Sequence, residues 1–244
     1  MGKAQMRSAD RQKALVSWSS GKDSAWALHA VRSEGTVEVI GLLTTVNQAV
    51  GRVAMHAVSE ELLDTQAAAL GLPVLKVFIP NPCSNDQYET AMAAAVDRAK
   101  TRGVTAMIFG DLFLEDVRKY REDKLAATGI EPLFPLWGAD TAKLARDMVR
   151  AGVRAQITCV DPRQLGASLA GRTFDDRFLD DLPPGVDPCG ERGEFHTFVH
   201  QGPMFQRPIP VVRGASVTRD GFVFADVLCE VSRSNVRSQG EVKR

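Results

Sequence analysis

Residues 14–31 read ALVSWSSGKDSAWALHAV: an apolar run, a knot of small polar residues, then a helical pattern. The small residues turn the chain from a strand, Ala14–Ser17, into a helix starting near Asp23. That is where a parallel α/β sheet presents its ligand. Ser19, Ser20 and Gly21 are small enough for successive backbone N–H groups to close around an anion, with the positive end of the helix behind them. Ser24 brings a hydroxyl for a phosphate oxygen and Lys22 brings positive charge. Asp23 either caps the helix or helps hold Mg2+ against the phosphates. A capped strand–helix turn with no ligand would use the same residue types. The loop is not a Walker A loop, G-x-x-x-x-G-K-[S/T]. Val16 stands where the first glycine belongs, and Asp23 follows the lysine.

Outward from the loop, strand and helix patterns alternate. Val37–Thr45, Val74–Ile79 and Thr105–Gly110 are apolar runs of strand length, and Asp23–Glu34, Val58–Leu70 and Asp86–Lys100 carry three- and four-residue apolar spacing. Gly35, Gly71 and Gly103 follow the three helices, where C-caps belong. The alternation predicts an α/β fold with a mostly parallel sheet. It singles out four strand ends as ligand sites: Ser19–Ser24, Thr44–His56, Pro80–Asp86 and Gly110–Asp116. The second half is less regular, with helices expected at Asp140–Ala151 and Thr173–Asp181 and a strand at Arg154–Val160. After Leu182-Pro183-Pro184-Gly185 come β segments ending with Gly221–Val231. The expected organisation is a tail at 1–12, a first domain at 13–134, a second at 135–231 and a tail at 232–244.

Composition narrows the class of function. Thirty basic residues balance thirty acidic ones in 244, which gives no reason to expect a nucleic-acid or membrane-surface partner. No run approaches the ~18 apolar residues of a membrane span, and residues 1–12 are followed by no signal-peptide core. Cys83, Cys159, Cys189 and Cys229 form no C-x-x-C, so a structural zinc site or a redox pair is not expected and a reduced cytoplasmic protein is.

The spelling S-S-G-K-D-S at 19–24 resembles the pyrophosphate loop of the PP-loop, or N-type, ATP pyrophosphatases, with Ser20 in place of the more usual first glycine. Further stretches narrow the resemblance: Phe109-Gly110-Asp111, RKYRE at 118–122, PLFPLW at 132–137, CGERGEFHT at 189–197 and GPMF at 202–205. Together they are similar to the diphthine–ammonia ligase family, also known as the diphthamide synthase ATP-binding domain, in a bacterial-type spelling. The resemblance implies a Rossmann-like nucleotide α-hydrolase domain with a smaller α+β C-terminal domain and the active site in the groove between them. It implies ATP and Mg2+, cleavage of ATP between the α and β phosphates, and adenylation of a carboxylate that ammonia then converts to an amide. Diphthine is the acceptor in archaeal and eukaryotic members. Here the carboxylate acceptor, a small molecule or a protein side chain, is left open.

Individual residues carry more than one reading. Thr44 and Thr45 end a strand where the related fold holds adenine and ribose, though threonine also favours strands for its own sake. Arg52 is either solvated or set beside a phosphate, and His56 is either a nucleotide contact or a helix-start residue. Gly110 allows close backbone approach, and Asp111 binds Mg2+, orients the acceptor or caps a helix spanning Leu112–Leu125. In that helix Glu115/Lys119 and Arg118/Glu122 are spaced to pair, and the resemblance draws Arg118, Arg121 and Glu122 towards the substrate groove. Glu191, Glu194, His196 and Thr197 form a second cluster. On an extended segment Glu194 and His196 share a face, placing a general acid or base and an ammonium ligand together, unless Glu194 pins the domain in an ion pair. Cys189 is a thiol whose ordinary role beside glycine is packing. Two other readings compete: a tRNA-modifying enzyme of the same superfamily, which calls for a cysteine pair and a basic surface, and an ATP sensor without turnover, which has no use for the second acidic cluster.

Overall fold

The first half of the chain forms strands buried by apolar side chains and helices stopped by glycine. In the computed structural model, which describes residues 11–53 and 58–230, β1 (Gln12–Ser17) leads through the loop into α1 (Lys22–Glu34). There follow β2 (Val37–Asn47), a two-residue β3 (Arg52–Val53), α2 (Glu60–Leu70), β4 (Val74–Ile79), α3 (Asn85–Thr101), β5 (Val104–Ile108), α4 (Glu115–Leu125) and β6 (Glu131–Leu133). Five strands run parallel in the order β4-β2-β1-β5-β6, and β3 pairs antiparallel with the end of β2. The chain winds outward from β1 to one edge and returns on the other side, so β1 and β5 flank the topological switch point. The loop after β1 and the Gly110 turn after β5 therefore face one another. Gly35 and Gly71 close α1 and α2 in the left-handed conformation (φ 68° and 66°), each returning its N–H to the helix's last carbonyls.

The second half builds a separate sheet. α5 (Thr141–Arg150) and β7 (Arg154–Val160) precede a 3-10 turn at Ala167–Leu169, then α6 (Asp176–Asp180), β8 (Phe195–Gln201), β9 (Val211–Arg219) and β10 (Phe222–Cys229). The four strands are antiparallel in the order β8-β7-β10-β9. The fold is thus α/β with a mostly parallel sheet plus a smaller α+β part. One apolar cluster runs from Leu28, Leu62 and Ile108 through Met148 and Ile157 to Phe174, Phe178 and Phe198. A second, under α3, packs Leu15, Leu43, Met107, Ala95 and Ala99 on the other face of the parallel sheet.

Several elements differ from the expectations. Ser59 caps α2, accepting from the Leu62 N–H, so that helix starts at Glu60 rather than Val58. The helix after Gly110 starts at Glu115, not Leu112, with Leu114 at its N-cap. Asp111 is not a cap, because three residues of loop separate it from the first turn. Within α4, Lys119 pairs forward with Asp123 at 2.9 Å and not with Glu115. The helix expected over Thr173–Asp181 forms only at Asp176–Asp180, capped by Asp175. β6 was not expected from a segment containing Pro132; an edge strand accommodates it because no ladder bond is needed on its outer side. The expected tails lie outside the described residues, except for Arg11 and for Gln12, which already belongs to β1. Among the described residues no helix is long and apolar enough to cross a membrane.

Candidate active site

Ser20, at the crown of the loop, is buried and has φ 70°, the left-handed conformation that glycine adopts freely. For serine this conformation costs roughly 1–2 kcal/mol, so the surroundings must hold it. Ser20 thus takes a backbone conformation that glycine, the more usual residue at this place in the resembling loop, would reach freely. Its carbonyl accepts the Val199 N–H of β8 at 3.0 Å. Gly21 is the N-cap of α1 and has no side chain of its own to cap it; Asp23 sits in the first turn. Of the N–H groups at that end, Lys22's donates to the Thr197 hydroxyl (3.1 Å) and Gly21's to Ser19 Oγ (3.3 Å). Ser24 Oγ donates to the Gly21 carbonyl at 3.0 Å and lies 3.2 Å from Ser19 Oγ. Gly110 packs under this turn so closely that a Cβ would lie 2.8 Å from Asp23 C and Ser24 N.

Lys22 does not extend to the surface. It is 1% exposed, and its ammonium bonds both Asp23 carboxylate oxygens (3.0 and 2.9 Å) and the Cys189 carbonyl, above the rings of Phe174 and Phe195 at 5.4 and 5.3 Å. Burial alone would lower its pKa, but the Asp23 carboxylate outweighs this and raises it, so Lys22 stays charged. Burial pushes the Cys189 thiol far up, out of the nucleophilic range, in line with a packing role.

Two cavities meet at Ser17, Ser19, Phe109 and Arg121. The smaller, about 210 Å³, is polar and lined by Ser19, Lys22, Asp23, Ser24, Gly110, Asp111, Glu191, His196 and Thr197. The larger, about 700 Å³, opens over the carboxyl ends of β1, β2 and β5 between α3 and α4, with Trp18, Thr45, Met92, Val96, Phe109 and Tyr120 on its walls. Thr45 faces it, whereas Thr44 is buried and donates its hydroxyl to the Trp18 carbonyl at 2.9 Å. Of the four expected strand ends, Pro80–Asp86 lines neither cavity: β4 is the strand furthest from the switch point on its side. His56 lies outside the described residues. Arg52 pairs with Asp226 of β10 at 2.9 Å, joining the two sheets away from both cavities.

The RKYRE and PLFPLW stretches meet in space. The Arg118 guanidinium lies over Phe134 and Trp137 (4.9 and 4.7 Å) and pairs with Glu122 at 2.7 Å; neither charge lines a cavity. Arg121 does. It pairs with Asp111 at 2.7 Å and stacks on Phe109 at 4.4 Å, so it stands where the two cavities join.

Glu194 and His196 do not point into the groove together. Glu194 precedes β8 in a turn, is 1% exposed, and spends its oxygens on the Asp187 N–H (3.0 Å) and Arg192 N–H (2.9 Å); it lines neither cavity. Its partners are backbone groups, not the cation of an ion pair. Glu191 is the carboxylate that faces the small cavity, with Oε1 accepting the Leu112 N–H at 2.8 Å and its own N–H donating to Asp187. Burial, with added repulsion from Asp23 and Asp111, raises its pKa to about 7. Burial and the charge of Lys22 push His196 down to about 4, leaving it neutral near pH 7. Among the described residues no group of three or more His, Cys, Asp or Glu is placed to hold a metal ion. Phe174 and Phe195 beneath Lys22, and Asp187 behind Glu191, were not singled out in the sequence. Only the repeated glycines at 190 and 193 signalled a tight loop there.

The family described as the diphthamide synthase N-terminal domain matches residues 12–131, and the diphthamide synthase C-terminal domain matches residues 140–233. The chain belongs to the diphthamide synthase family. Similar proteins include the diphthine--ammonia ligases of Danio rerio, 27% identical over 239 residues with 86% of this chain and 90% of that protein covered, and of Mus musculus, 26% identical with 89% and 88% covered. That of Homo sapiens is 24% identical, with 89% and 88% covered. The first diphthamide synthase match supplies Ser19–Ser24 and Gly110–Asp111 and the second supplies Glu191–Thr197, so both matched segments wall the small cavity.

Proposed function

We propose that this protein is an AMP-forming carbon–nitrogen ligase, which joins ammonia to a carboxylate at the expense of ATP. The observation that carries the reading is the pair of joined cavities: one roomy and largely apolar, suited to a nucleoside, the other small and polar behind the glycine–serine loop. A carboxylate is a poor electrophile because oxide is a poor leaving group. In the first step an acceptor carboxylate oxygen attacks the α-phosphorus of ATP. The bond from that phosphorus to the bridging oxygen breaks, and pyrophosphate leaves with the electron pair. In the second step ammonia attacks the acyl carbon and AMP departs with the carbon–oxygen electrons.

Each group has work consistent with its place. The loop around Ser19–Gly21 and the N-terminal end of α1 receive the β and γ phosphates. Buried Lys22 adds positive charge beneath them without needing to reach out. Arg121 stands at the cavity junction, where the α-phosphate passes. Glu191, with a pKa of about 7, takes the proton that ammonium must lose before its lone pair can attack. Neutral His196 offers a hydrogen bond on the same wall.

Asp23 and Asp111, both on the wall of the small cavity, have the hard carboxylate oxygens that would hold a Mg2+ ion brought in with the nucleotide. The cation would neutralise charge on the departing pyrophosphate. The relatives' name makes a diphthine-like carboxylate the reference acceptor, and ATP, ammonium and an acceptor of that kind are the proposed partners. Free thiols at all four cysteines support a reducing, cytoplasmic setting.

The test is to incubate the protein with α-labelled ATP, Mg2+ and ammonium, with and without cell extract, and to resolve AMP from ADP. AMP with equimolar pyrophosphate, raised by extract and lost in Asp23→Ala, is the expected result. ADP as the main product would overturn the proposal.

A further inference from the structure

We propose that Gln66, on α2 and absent from both cavity walls, is the positioning residue that aims the phosphate loop. It is 0% exposed, a position where an unpaired amide is not tolerated, and every polar atom has a partner. Its Nε2 donates to the Ser20 carbonyl (3.1 Å) and to the Val199 carbonyl (2.7 Å), while its Oε1 accepts from Trp18 Nε1 (3.0 Å). The amide cannot turn over: reversed, its oxygen would face two carbonyls and its NH2 would face an indole N–H. One side chain thus ties the end of β1, the crown of the loop and β8.

The consequence lies in the geometry of a trans peptide. The carbonyl of one residue and the N–H of the next point in opposite directions. Gln66 and the Val199 N–H draw the Ser20 carbonyl into the protein. The Gly21 N–H is thereby turned the other way, towards Ser19 Oγ, a residue on both cavity walls. The same two bonds fix the peptide that follows Ser20, a residue held at φ 70°, which is costly for serine. Gln66 acts on the leaving group through the peptide it holds, not by touching it.

This inference rests on the proposed reading of the loop as a pyrophosphate site, and the experiment separates the two. Binding of magnesium pyrophosphate and of AMP is measured by calorimetry for wild type and Gln66→Met, alongside steady-state AMP formation. The expected result for Gln66→Met is about a tenfold weaker pyrophosphate affinity, AMP affinity within about twofold, and kcat down about tenfold with the KM for ATP nearly unchanged. A purely structural glutamine would lower the melting temperature and the active fraction while leaving both affinities intact, and that result overturns the inference. Should Gln66→Met fail to fold, Trp18→Phe, which removes the indole N–H orienting the amide and also trims the wall of the larger cavity, is expected to weaken pyrophosphate about threefold; unchanged pyrophosphate affinity there overturns it equally. A wild-type protein that neither binds pyrophosphate nor releases it from ATP sinks the reading of the loop itself, whatever Gln66 does.

Discussion

The backbone N–H of Lys22 donates to the hydroxyl of Thr197 across 3.1 Å, although the two are 175 residues apart in sequence. The first residue of α1 is therefore bonded by β8, a strand of the other sheet. A phosphate loop is usually completed by its own strand and helix. This one is completed by a strand that enters late in the chain, and four predictions follow from how that joint is made.

Lys22→Met should destabilise the protein more than an ordinary lysine change. It leaves the Cys189 carbonyl and one face of Asp23 without their cation, in a site where Lys22 is 1% exposed. With Lys22 buried and the Asp23 side chain 27% exposed, breaking the pair costs at the low end of the buried range, about 3 kcal/mol, a fall in Tm of roughly 6–12 °C for a chain of this size. Thermal melting followed by circular dichroism checks it; a shift under about 2 °C would show the ammonium to be dispensable.

Gly110→Ala adds a Cβ 2.8 Å from backbone atoms of Asp23 and Ser24, which can yield only if α1 moves away from β5. The expected outcome is a loss of stability of about 1–3 kcal/mol with ATP turnover reduced beyond what that loss explains. Turnover measured well below the melting range separates the two effects.

Glu191 predicts the pH dependence. Its carboxyl pKa is raised from the ordinary carboxylate range to about 7, first by burial. In its role as proton acceptor the ionised form works, so the amidation rate should rise as pH passes through about 7, and Glu191→Gln should abolish that limb. Stability should run the other way. The folded state holds this proton where the unfolded state has lost it, so stability falls as pH rises from the ordinary carboxylate range to about 7. A Glu191→Gln variant whose rate keeps the same inflection would assign it to another group.

Glu194→Gln should act on the loop and not on the proton chemistry. The carboxylate accepts two backbone N–H groups, and an amide can accept only one while turning its NH2 towards the other. A stability loss of about 2 kcal/mol is expected, with the pH–rate inflection unmoved. An altered inflection would return Glu194 to the chemistry.

Much of the parallel sheet was legible because its signals are local. Apolar runs such as Val74–Ile79 and the glycines at 35 and 71 mark their elements without help from elsewhere. The loop was legible for the same reason, since Ser19–Ser24 are consecutive. Glu191 and Glu194 were harder to tell apart. A strand-like alternation predicts which side chains share a face, but Glu194 lies in a turn held by Gly190 and Gly193 (φ 71° and 82°), where that alternation does not apply. Of the three readings of Asp111, as Mg2+ ligand, acceptor contact or helix cap, the cap fails because the sequence places the start of α4 three residues early, and its partner Arg121 sits on that helix. Gln66 carries no sequence signal at all. A glutamine in a helix looks like surface, and only the approach of three distant segments makes it a core residue.

The apolar cluster that passes from Leu28 and Ile108 beneath the first sheet to Ile157 and Phe198 in the second leaves no greasy seam along which the halves could part. A chain divided near Pro135 would expose both cut faces to water, so neither piece should fold alone and heat should melt the whole in a single calorimetric peak. Substrate must then come and go without the sheets swinging open. The larger cavity opens between α3 and α4, and its lining there includes the solvent-exposed pair Lys124–Glu89 at 2.7 Å, a contact that adds little stability of its own.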